Sequence, residues 1–228
     1  GNRSVSSKSG SADMLERLGM PLPLHEKEAI ECLQATNYTF LFAPAYHPAM
    51  KAVVPVRGAM GVRTVFNILG PLTNPAAPPY QLIGAFSNEM AALMADALAG
   101  MSIARAFVVH GEPGWDEATP AGSFHLYDVR NGSVVHDVRT PGDYGLATCK
   151  PEDLEGGDAE YNANELVRVF TGEDTGPHRD ALLMGASLVL EMMGVAGTPA
   201  EGVAMAAAAI DDGRAKSFLE KLRGHFGG

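Results

Sequence analysis

Two groups of residues could do chemistry together, and two further residues could supply contacts. The first group is the run GNRSVSSKSGS at residues 1–11. Serine hydroxyls, backbone amides freed by glycine, and Lys8 are anion-binding groups. The run leads into a helix start, where the dipole favours negative charge. The same composition also suits a solvent-exposed loop. The second group is Asp116-Glu117 in the loop GEPGWDE, just past a strand that ends near His110. Ligands of open α/β sheets bind beyond the carboxyl ends of strands. Adjacent carboxylates offer hard oxygens suited to Mg²⁺, and a diphosphate carrying Mg²⁺ would join this pair to the serine run. A solvated acidic loop would read the same way. Arg57, with Lys51 and Arg63 nearby, could grip a carboxylate through two parallel hydrogen bonds, or simply be solvated. His47, in APAYHPAM, reads as a substrate contact or as a capping or core histidine. No Ser-His-Asp or Cys-His arrangement can be placed.

These residues need a frame. Ser11 is expected to cap a helix over 12–18 that Gly19 ends. A helix over 25–35 should turn Ala29, Ile30 and Leu33 inward. Tyr38–Phe42 is a strand or a buried turn. Helices are expected from Pro48 toward Met60 and over 62–69. Gln81–Phe86 and Ala104–His110 read as strands. Between them Asn88 should cap a helix to Leu98 with Met90, Leu93, Met94 and Ala97 inward. Phe124–Val129 and Ser133–Val138 alternate around Asn131-Gly132, a hairpin signal. Helices follow over 163–170, 179–193, from the Thr198-Pro199-Ala200-Glu201 capping box to Asp212, and over 215–222. Strand–helix alternation predicts an α/β fold. The early helices, around 12–35 and 48–69, form a separate helical layer.

Composition bounds the partners. The 228 residues carry a formal net charge of -10, which offers no sequence-wide basic surface for nucleic acid. No apolar run approaches the roughly 18–20 residues of a membrane span. Cys32 and Cys149 have neither paired-motif spacing nor disulfide density, so they read as free or buried thiols of a reducing cytoplasm. The chain opens inside a polar run without methionine and reads as part of something longer.

Together, GNRSVSSKSGSADMLERLG, FAPAYHPAM, VRGAMGVRTVFNILGPLTNP and VVHGEPGWDE resemble the anthranilate phosphoribosyltransferases in order and spacing. GGDAEYNA and EGVAMAAAAIDDGRA resemble later segments of that family. The resemblance covers the whole chain. It implies a nucleoside-phosphorylase-like α/β catalytic domain with part of a small helical domain. The implied division is residues 1–24 and 73–228 in the catalytic domain and 25–72 in the helical and hinge segment. It places Gly1, Asn2, Arg3, Ser4, Val5, Ser6, Ser7 and Ser11 on phosphoribosyl diphosphate. Asn2, His47, Arg57 and Gly70 fall on anthranilate or its path, and Asp116 and Glu117 on metal, with two Mg²⁺ ions expected alongside bound diphosphate. No side chain acts as a chemical catalyst; positioning and electrostatics carry the reaction. A cytoplasmic homodimer of the complete protein is implied. The family's leading segment, with its GTGGD motif, NxST segment and Lys-His pair, has no counterpart in these residues.

Two other functions are compatible with the fold class. A nucleoside phosphorylase would share the fold, but its characteristic loop differs from GNRSVSSKSGS. A non-catalytic nucleic-acid-binding relative should show a basic groove and a degraded substrate site.

Overall fold

In the computed structural model, the described residues are 1–3, 8–47 and 70–227. The expected helices over 48–69, and with them Arg57, lie outside the described residues, as do Ser4, Val5, Ser6 and Ser7. The chain divides into two compact units. One holds residues 1–64, 156–174 and 210–228; the other holds 65–155 and 175–209.

The second unit is built on a four-stranded mixed sheet, confirming the α/β class. Its strands are β1 (Tyr80–Gly84), β2 (Arg105–Gly111), β3 (Phe124–Arg130) and β4 (Ser133–Arg139), in the order β1-β2-β3-β4. β1 and β2 run parallel, with Gly84 opposite Val109. β2, β3 and β4 run antiparallel, with Gly111 opposite Phe124. The hairpin between β3 and β4 turns on Asn131 (φ 54°) and Gly132 (φ 72°). Both central residues have positive φ, as a two-residue I′ turn requires, so the Asn-Gly signal was well founded.

One sheet face packs on α4 (Asn88–Ala99). Here Ile83, Ala106, Val108, Tyr127 and Val129 meet Ala91, Met94, Ala95 and Leu98. The buried seam differs from expectation: Leu93 is 49% exposed and Ala97 is also exposed. Alanines at 91 and 95 let the helix lie close on the sheet, so the seam runs through the small residues and turns Leu93 outward. The cap is Ser87 rather than Asn88, its hydroxyl accepting from the Met90 amide at 3.3 Å. The other face packs Phe107, Val109, Phe124 and Leu126 against Met184, Leu188 and Met192 of α6 (Pro177–Met192). Arg105 bonds both Asp128 oxygens (2.8 and 2.6 Å) and the carbonyl of Glu191 (3.0 Å), tying β2 and β3 to the end of α6. α7 (Pro199–Asp211) follows, and the Thr198 hydroxyl accepts from the Glu201 amide at 3.2 Å. The expected return bond is displaced by one residue: Glu201 accepts from the Gly197 amide at 2.8 Å.

The first unit is helical among the described residues. It contains α1 (Ser11–Arg17), α2 (Glu26–Thr36), the short α3 (Ala43–Tyr46), α5 (Ala159–Phe170) and α8 (Arg214–His225). Its core gathers Leu15, Leu18, Met20, Leu24, Cys32, Ala163, Leu219 and Leu222. The Arg223 guanidinium donates to the Leu18 carbonyl at 3.1 Å, joining residues 205 positions apart. Gly10, not Ser11, stands at the N-cap of α1, and the Asp13 carboxylate accepts from the Gly10 amide at 2.9 Å. On α2 the buried face is Ala29, Cys32 and Thr36, while Ile30 and Leu33 are each 48% exposed. Thr36 explains the rotation. Its hydroxyl reaches the carbonyls of Cys32 (2.7 Å) and Tyr38 (3.0 Å), so the chain leaving the helix folds back on that face. Residues 38–42 form neither strand nor helix.

Candidate functional site

The carboxylate pair sits where the sheet logic places ligands. β1 ends at Gly84, opposite Val109, and β2 runs two residues further to Gly111. The chain leaves β2 through a tight turn, with the Gly111 amide donating to the Trp115 carbonyl and the Trp115 amide to the Gly111 carbonyl, both at 2.9 Å. It then crosses the ends of both strands. A methyl group on Gly84 would overlap the Asp116 carbonyl, and one on Gly111 would overlap the Glu117 carbonyl. Ala118, Thr119 and Pro120 next bury themselves, and the Pro120 carbonyl accepts from the Cys149 amide at 2.9 Å. The backbone is thus pinned on both sides while Asp116 and Glu117 remain exposed as residues. Burial of its carboxyl, and next the Asp116 charge, raise the Glu117 pKa from its ordinary value. Two adjacent carboxylates are a donor set that fits a hard divalent cation.

His110, at the end of β2, is tied down through Nδ1 to the Ala85 carbonyl at 2.8 Å. Its neighbour His125 is opposite it in register. These contacts fasten the segment after β1 to the end of β2.

The serine run keeps only its ends among the described residues. The Gly1 nitrogen donates to the Leu41 carbonyl, and the Ala43 amide to the Gly1 carbonyl, both at 2.8 Å. A side chain on Gly1 would strike the Phe40 ring. Gly1 and Asn2 are therefore brought to the segment that carries α3 and His47, whose amide donates to the Ala43 carbonyl at 3.0 Å. The Asn2 side chain accepts from the Arg3 amide at 2.9 Å. Arg3 bonds Asp13 (2.8 Å) and both oxygens of Glu16 (2.6 and 2.7 Å), which hold its charge in place. Ser11 is the first residue of α1, its hydroxyl facing Gly1. Gly70 belongs to the other unit and is exposed, and among the described residues no atom lies within 4 Å of where a side chain would begin.

Residues 1–216 match the family described as glycosyl transferase family, a/b domain. The chain belongs to the glycosyl transferase family. Among its glycosyl transferase relatives, an anthranilate phosphoribosyltransferase of Solibacter usitatus is 46% identical over 97% of this chain. One of Acetivibrio thermocellus is 42% identical over the same share. The chain spans 65% and 64% of the lengths of these two relatives. The anthranilate phosphoribosyltransferase of Thermus thermophilus superposes with a TM-score of 0.90 at 41% identity, covering 99% of this chain and 67% of that one. The Saccharomyces cerevisiae enzyme in complex with PRPP and Mg superposes with a TM-score of 0.90 at 26% identity, covering 99% and 63%.

Sequence reasoning missed Gly84 and Gly111 as parts of the site. The signal was partial: Gly84 lies inside, and Gly111 just past, an apolar run read as a strand. Glycine there marks a close backbone approach as well as a turn.

Proposed function

We propose that this glycosyl transferase moves the phosphoribosyl group of phosphoribosyl diphosphate to the amine of anthranilate, in tryptophan biosynthesis. The observation that carries the reading is the exposed Asp116-Glu117 pair, pinned across the carboxyl ends of β1 and β2. It is supported by relatives named for this reaction and by a neighbour that binds PRPP and Mg. The products are N-(5-phosphoribosyl)anthranilate and diphosphate. The aromatic amine attacks the anomeric carbon of the ribose, and the bond from that carbon to the diphosphate oxygen breaks. Its electron pair leaves with diphosphate, and the amine proton passes to solvent. The nucleophile comes from the substrate, so positioning and charge stabilisation suffice.

In this reading Asp116 and Glu117 hold Mg²⁺, two ions being expected with bound diphosphate. The metal supplies neutralisation of the leaving group through its oxygens. Gly1, Asn2, Arg3, Ser4, Val5, Ser6, Ser7 and Ser11 cradle the diphosphate and ribose phosphate. Asn2, His47 and Gly70 line the aromatic substrate, and the Arg57 guanidinium grips its carboxylate through two hydrogen bonds. The division into catalytic residues 1–24 and 73–228 and helical residues 25–72, a homodimer of the whole protein, and a cytoplasmic location belong to the same reading.

The test is Asp116→Asn combined with Glu117→Gln in the whole protein. The magnesium needed for half-maximal turnover should rise by about ten-fold or more, since even indirect losses around a metal cost that much. Unchanged turnover at limiting magnesium removes the metal role.

A further inference from the structure

Glu117 and Asp116 owe their place to what two strand ends lack. At Gly84 the position of a first side-chain atom is taken by the Asp116 carbonyl, with the Asp116 Cβ only 3.2 Å away. At Gly111 it is taken by the Glu117 carbonyl, with the Phe124 Cβ at 3.7 Å. In both cases the obstructing atom is backbone, which cannot swing aside as a flexible side chain would. The loop cannot retreat along its own path either. Its near end is closed by the Gly111–Trp115 bonds, and Ala118, Thr119 and Pro120 are buried on its far side. Gly84 also lies within the ladder, opposite Val109, and the Ala85 amide donates to the Val109 carbonyl at 2.9 Å. The strand end is therefore held by its ladder. A methyl at either position has one outlet: to lift the peptide that carries a carboxylate.

We propose that Gly84 and Gly111 are positioning residues that set the spacing of the Asp116 and Glu117 carboxylates for the metal; the inference rests on the metal role proposed for that pair. Each glycine meets one of the two carbonyls, so the two substitutions displace the two carboxylates separately. Mg²⁺ demands near-ideal octahedral geometry, so displaced oxygens lose affinity rather than adapt.

The experiment uses the whole protein with Gly84→Ala, Gly111→Ala, Asp116→Asn/Glu117→Gln, and Gly185→Ala as control. Gly185 lies in α6 with nothing within 4 Å of an added methyl. Mn²⁺ binding in the presence of diphosphate is measured by the loss of the free-ion electron paramagnetic resonance signal, and each variant is melted. The expected result is cooperative melting in all, with Mn²⁺ affinity reduced about ten-fold in both glycine variants and unchanged in Gly185→Ala. Normal Mn²⁺ affinity in the folded glycine variants, with the carboxylate variant impaired, overturns the positioning role and leaves the proposed function standing. Loss of cooperative melting in both glycine variants also overturns it, in favour of a purely structural role. Normal Mn²⁺ affinity in the carboxylate variant removes the metal role itself, and this inference with it.

Discussion

His125 shows how a single residue can carry a pH dependence. Its Nδ1 lies 3.0 Å from His136 Nε2, the two rings within 12° of parallel. His136 in turn stacks on Tyr127 at 4.5 Å. Partial burial, then His136 and His110, hold the His125 pKa below its usual value, and Glu112 pulls weakly the other way. A histidine depressed in the folded state takes its proton more readily when unfolded. Its contribution to stability is therefore complete above the ordinary histidine pKa of about 6.5 and is lost as pH falls below it. The melting temperature should drop between about pH 7 and pH 5, and His125→Gln should lessen that drop. Melts across this range check it; parallel curves for the two proteins would remove His125 as a cause. At this scale the site was only partly legible. Asp116-Glu117 announced itself because charge is a property of the residue. Gly84 and Gly111 did not, because what matters about them is an atom from elsewhere in the chain.

Among the elements, those whose partners are local were the easiest to read. The β3–β4 hairpin follows from two residues, because the turn chemistry and the strand twist agree within one short segment. Gly132→Ala should cost about 1–2 kcal/mol, since a side chain in the left-handed region meets its own backbone. Gly100→Ala, at an ordinary φ of -84°, is the control in the same denaturant titration. Equal midpoints for both variants would show that the turn does not need glycine. The faces of α2 and α4 were misread for a reason seated outside the helices. Periodicity finds the apolar stripe, but the close approach of the sheet chose Ala91 and Ala95 over Leu93. Likewise, the hydroxyl of Thr36 folded residues 36–38 onto a face that hydropathy alone ranks below Ile30 and Leu33.

For the whole molecule, the outer edge of the sheet is the exposed liability. Among the described residues β1 pairs only with β2, and Tyr80 and Leu82 on it are 38% and 37% exposed. An unpaired apolar edge is a template for another chain. Produced as these 228 residues alone, the protein is expected to self-associate, and Leu82→Lys to reduce that association. Sedimentation velocity at several concentrations reads it directly. A monomer that needs no substitution would show the edge to be covered.

The Arg223–Leu18 contact has a consequence in time rather than in space. It closes a loop of 205 positions, and the core beside it unites Leu15 and Leu18 with Leu219 and Leu222. The sheet unit has its last residue by position 209, whereas the helical unit draws on residues up to 228. During synthesis from the amino end, the sheet can condense while α1 and α2 still wait for α8. Until α8 leaves the ribosome, the core around Leu15 and Leu18 still lacks Leu219 and Leu222, and this is the interval in which a chaperone has most to hold.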